Sequence, residues 1–118
     1  SGLPQSYQPR MTKDLYIQEL KEMYILADEH GAVPLILSRP VDPSNSELHN
    51  PQNWRSKVPE YNQALRQLMD GDEAHFVDFE EYFQDKPQLF IDECHFLPEG
   101  HRAAAELLLD HILEFGLL

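Results

Sequence analysis

Apolar residues recur at Tyr16, Leu20, Met23, Tyr24 and Ala27, a spacing that puts them on one stripe of a helix. Thr12 is placed to cap its N-terminus, Asp14 sits in the first turn and Gly31 follows as a stop. The pattern predicts a helix over about residues 13–29. The next apolar run, Val33 to Leu37, is short and unbroken, the pattern of a buried parallel strand. Pro34 belongs at its beginning, because proline has no N–H to donate to a central ladder. Residues 38–53 hold Pro40, Pro43 and Pro51 among Ser, Asn and Asp. They predict a long loop at the carboxyl end of that strand, and loops of this length in compact domains are often functional.

Pro59 suits the first turn of a second helix, with Tyr61, Leu65, Leu68 and Met69 on its apolar side and Asp70, Gly71 and Asp72 ending it. Ala74 to Val77 predicts a second strand, with Asp78 at its end. Phe79, Tyr82 and Phe83 predict a short helical turn. Lys86 and Pro87 open a loop that runs to Gly100. Pro98 begins the last helix, where Ala103, Ala104, Leu107, Leu108, Ile112 and Phe115 are expected to face the core. Residues 1–11, with Gly2, Pro4, Ser6 and Pro9, read as an irregular lead-in or a cut end; residues 12–118 read as one unit.

Helices alternate with strands, which implies an α/β fold with parallel strands and helical crossovers. Two strands make a poor sheet, and parallel strands need cover on both faces. Three amphipathic helices around two strands leave apolar surface without a partner. Further strands upstream resolve this, so the chain reads as the C-terminal part of a larger α/β domain.

Composition narrows the partners. The chain has 118 residues, 42% hydrophobic, with 21 Asp+Glu against 9 Lys+Arg and a formal charge of −12. No basic stripe is available for a phosphate backbone or an anionic membrane surface, so neither nucleic acid nor such a membrane is an expected partner. No apolar run approaches the ~20 residues of a membrane span. No leader pattern is visible, and the compartment stays open. Cys94 is the single cysteine, which rules out an internal disulfide and a cysteine-based metal cluster.

The candidate chemistry lies late in the chain, at Asp92, Glu93, Cys94 and His95. A carboxylate three residues before a histidine can fold back in a tight loop and accept a hydrogen bond from one ring nitrogen. That fixes the tautomer and stabilises the imidazolium formed when the other nitrogen takes a proton from a hydroxyl. The same Asp-x-x-His is also a common surface turn or cap. Ser38, at the end of the first strand, could face the ligand crevice or simply cap the loop. Ser44 and Ser46 read as turn formers. Cys94, His95 and His101 form no standard zinc spacing, and neither a metal nor another cofactor is expected; His101 is expected to pack near the loop. His111 is expected to be solvated and His30 to sit at a helix C-terminus. His49 and Trp54 could line a pocket, with a packed Trp as the plainer reading.

The segment from Phe90 to Leu109, with Asp92, His95, Gly100, His101 and an Ala/Leu-rich helix behind them, resembles the last block of the SGNH/GDSL hydrolases. The run Ala32 to Pro40 resembles that family's penultimate strand entering its active-site loop, Tyr61 to Arg66 its next helix, and Phe76 to Phe79 its last strand. The resemblance covers about residues 12–116 and is most specific in its last block. It implies a flavodoxin-like three-layer α/β/α domain and ester hydrolysis, by an esterase, lipase or carbohydrate acetylesterase. It implies His95 as general base and Asp92 as its orienting carboxylate. The family's Gly-Asp-Ser nucleophile block and Gly-x-Asn-Asp block do not occur in this sequence. The expected substrate is therefore a small-molecule, carbohydrate or lipid ester acted on by an intact protein whose N-terminal half supplies the serine. The rival expectation is a non-enzymatic α/β fragment that associates through an exposed sheet edge.

Overall fold

The computed structural model describes residues 11–118, so the expectation of an irregular lead-in falls almost wholly outside them. Helix α1 spans Lys13–Glu29. Its start is set as the sequence predicts: the Thr12 hydroxyl accepts a hydrogen bond from the Leu15 N–H at 3.2 Å. His30 closes its other end, with a ring nitrogen 2.9 Å from the Leu26 carbonyl, and Gly31 follows at a φ of 76°. Strand β1 is Ile36–Leu37 and strand β2 is Phe76–Val77. They pair in parallel, with Ile36 opposite Phe76 and Leu37 opposite Val77. Between them lie helical turns at Ser46–His49 and Trp54–Lys57, then helix α2, Val58–Leu68. After β2 come the short helix α3, Phe79–Phe83, a turn at Pro87–Leu89, and helix α4, Pro98–Glu114.

The mixed helix and parallel-strand order matches the predicted alternation. Both strands are shorter than the pattern predicted, and the reason is local. The Pro34 carbonyl is 2.7 Å from a ring nitrogen of His75, a side-chain contact in place of a ladder bond. Residues Glu73–His75 form a helical turn instead of strand. The Ser38 N–H bonds the Val77 carbonyl at 3.1 Å and carries the pairing one residue further.

The core has two parts. Val77, Phe79, Phe83 and Phe90 are buried together, with Leu35, Leu89, Phe96, Ala103, Ala104, Leu107 and Leu108 packed on them. Val41, Leu48, Val58 and Cys94 form the second cluster. The expected inner face of α4 is met by its first turns; Phe115 stays 38% exposed and stacks on His111 at 4.7 Å. His111 is not merely solvated: its Nε2 lies 2.8 Å from the Ala74 carbonyl, docking α4 beside β2. Helix α1 buries no residue. Its Tyr16, Leu20, Met23, Tyr24 and Ala27 line a groove with Pro34 to Leu37 along β1, and the Tyr24 hydroxyl reaches Asp72 at 2.7 Å. Among the described residues no helix is long and apolar enough to cross a membrane.

Candidate active site

Residues 90–97 form a short hairpin just before α4. Phe90 and Phe96 pair as an antiparallel bridge. The Ile91 N–H bonds the His95 carbonyl at 2.8 Å, and the Leu97 N–H bonds the Leu89 carbonyl at 2.8 Å. Two anchors fix this hairpin. Beneath it, Phe83 meets Phe96 at 4.7 Å between ring centroids, and Phe96 meets Phe90 at 5.0 Å. Beside it, the buried Glu93 carboxylate accepts from Arg55 at 2.6 Å and Asn53 at 3.2 Å, while its carbonyl accepts from the Asp42 N–H at 2.9 Å.

At the tip, Asp92 does what a cap does in a turn. Its Oδ1 accepts from the backbone N–H groups of Cys94 at 3.0 Å and His95 at 2.8 Å. The same carboxylate meets the His95 ring, with Nδ1 2.9 Å from Oδ2 and 3.0 Å from Oδ1. The structure therefore brings together the two residues that the spacing paired. Burial pushes the Asp92 carboxyl up, but the N–H of Cys94, the His95 ring and the N–H of His95 outweigh it and hold the group down to about 2. An ionised carboxylate can only accept, so Nδ1 is the donor of the pair. In the neutral ring this leaves the lone pair on Nε2. The His95 side chain is 56% exposed, so a substrate group can approach it.

Cys94 Sγ lies beside this ring, 3.3 Å from Nδ1 and 4.0 Å from Nε2. Asp92, Cys94 and His95 offer three ligand atoms within 4.8 Å of one another. These three fit a metal poorly. With Nδ1 and the Asp92 carboxylate hydrogen-bonded to each other, Nε2 and Cys94 Sγ are the atoms left to ligate, and burial pushes the Cys94 thiol up, against the thiolate that a metal requires. His101, the other histidine the sequence offered, stands edge-on to the Phe96 ring at 5.6 Å.

Ser38, just after β1, is committed to structure. It is buried, donates to Asp78 Oδ1 at 2.7 Å and accepts from the Glu80 N–H at 2.9 Å. Asp78 in turn is clamped by Arg66 at 2.7 Å. Ser44 donates to Asp42 at 2.6 Å, as a turn former does. Among the described residues no serine hydroxyl hydrogen-bonds the His95 ring.

His49 is turned to the Pro43 carbonyl at 2.7 Å. Trp54 is not the packed residue expected of it; it is 39% exposed, with the guanidiniums of Arg39 and Arg55 centred 4.8 and 5.1 Å from its ring. Sequence reasoning missed Arg55, Asn53 and Arg39, and it gave Glu93 no role although it named the block that holds it. Arg39 and Asn53 lay in the long proline-bearing loop and Glu93 in the Asp92–His95 block, while Arg55, in the turn that follows the loop, carried no signal. No family model, curated protein or solved structure matches this chain.

Proposed function

We propose that this chain carries the histidine–carboxylate half of a serine esterase site, in the C-terminal part of an SGNH-type, flavodoxin-like three-layer domain. The supporting observation is the Asp92–His95 pair, with the imidazole Nδ1 held by both carboxylate oxygens on a hairpin anchored on two sides. In the reaction, a serine from outside the described residues attacks the ester carbonyl. His95 Nε2 takes its proton, and Asp92 stabilises the imidazolium that results. His95 then returns the proton to the departing alcohol. Water enters by the same base and releases the acid from the acyl-enzyme. The substrate is a small-molecule, carbohydrate or lipid ester, and residues 1–118 alone are expected to be inactive. The test is hydrolysis of a short-chain aryl ester by the longest soluble form carrying this chain, against its His95→Ala variant. Loss of the general base is expected to lower the rate by about 10²–10⁴-fold; equal rates overturn the assignment.

A second reading has its own support. Leu37 on β1 is 37% exposed, and the groove between β1 and α1 is apolar. A second chain that adds to this edge would make the fragment an interaction module rather than half of an enzyme.

A further inference from the structure

Arg39 and Lys57 line one cavity of about 240 Å³ together with Tyr16, Trp54, Tyr61 and Asn62. The chain has fewer than half as many basic as acidic residues, so a basic side chain has carboxylates in excess to choose from. Arg55, Arg66 and Lys86 have taken one. Among the described residues no carboxylate lies within ion-pair distance of Arg39 or Lys57. Lys13, Lys21 and Arg102 also lack one; Lys13 and Lys21 share a groove, but it is lined by Asp14 and by no aromatic ring, and Arg102 is exposed on α4.

Arg39 is held in place from three sides. The buried Asn62 side chain clamps its backbone, accepting from the Arg39 N–H at 2.9 Å and donating to the Arg39 carbonyl at 2.8 Å. Its guanidinium lies over the Trp54 ring. Its Nη2 lies 3.9 Å from Cys94 Sγ, the sulfur that stands beside His95. The charge is felt inside the cavity: burial pushes the Tyr16 phenol up, and Arg39 pulls against that shift.

A guanidinium laid on an aromatic face, with only the long Cys94 contact on Nη2 and no carboxylate of the described residues on its fork, matches the planar geometry of a carboxylate. The rings of Tyr16, Trp54 and Tyr61 offer an apolar wall to whatever carries that carboxylate. We infer that this cavity is a subsite for a small carboxylate with an apolar tail, gripped by Arg39 and Lys57. Placing that carboxylate on the ester substrate rests on the esterase reading, and it makes Arg39 a specificity-determining residue for esters with an anionic end.

The test uses the chain itself, with hexanoate as the probe and hexanamide as its neutral counterpart, at constant ionic strength. Calorimetry reads binding, and the emission of Trp54, the single tryptophan, reports occupancy of the cavity. Hexanoate is expected to bind saturably and roughly tenfold more tightly than hexanamide, a difference of about 1.4 kcal/mol. Arg39→Met is expected to abolish the preference and Lys57→Met to weaken it, while His95→Ala leaves it intact. Absence of saturable binding, equal binding of the two probes, or an unchanged preference in the Arg39→Met protein overturns the inference. If Arg39→Met does not fold, an unchanged preference in Lys57→Met does so. The esterase reading is judged separately, because its own assay can fail while hexanoate still binds.

Discussion

Asp92 serves two partners with one carboxylate: the N–H groups of its own turn and the ring of His95. The consequence can be read in acid. Its folded-state value is lowered to about 2, below the ordinary carboxylate value of about 3.9. A group shifted this way contributes stability that is fully present above its unfolded value and disappears as pH falls through its folded value. Asp92→Asn is therefore expected to be less stable than the parent near neutral pH. The gap should close between about pH 4 and pH 2. Denaturant unfolding at a series of pH values checks this, and a constant gap across that window would contradict it. This pair was legible in the sequence because its partners are three residues apart, and a turn of that size has few ways to close. Glu93 was not. Its partners Arg55 and Asn53 lie 38 and 40 positions away, and no local spacing encodes a contact of that separation.

The elements were legible where a terminus is marked by its own chemistry. Thr12 starts α1 and Pro98 starts α4, each at the position the sequence predicts. The strands were overextended because pattern cannot tell how much ladder a neighbour will complete. Gly100 shows how an element positions the site. A Cβ built there would stand 2.6 Å from the Leu89 carbonyl oxygen and 2.6 Å from Phe96 Cδ1. Glycine thus lets the first turn of α4 press against the hairpin that holds Asp92 and His95. Gly100→Ala would gain at most ~1 kcal/mol of helix propensity but force backbone and a core ring apart, at a cost of about 1–3 kcal/mol. The clash wins. The variant is expected to melt several degrees lower, and the His95 ring resonances should shift even though residue 100 does not touch that ring. An unchanged melt and unchanged resonances would show that the hairpin does not depend on this close approach.

At the scale of the whole molecule, the apolar surface exceeds what the fold covers. Leu15, Met23, Ile25 and Leu26 on α1, Leu37 on β1, and Leu109 and Leu113 on α4 are all more than a third exposed. Among the described residues the two-stranded sheet gives these side chains no further strand to pack on, and exposed apolar surface, where it is contiguous, marks an interface or an aggregation site. The long negative charge opposes close association but does not hydrate leucine side chains. Chain 1–118 is therefore expected either to associate, at a mass of at least twice its 13.7 kDa, or to melt below the ~45 °C at which mesophilic domains begin to unfold. Light scattering and a thermal melt read both outcomes, and a stable monomer contradicts the expectation. A form extended upstream then separates the two functional readings. If upstream strands cover β1 and α1, as the esterase reading requires, the extended protein becomes monomeric and its melting temperature rises. If association persists unchanged, the groove along β1 belongs to a second chain, and the interaction reading takes precedence.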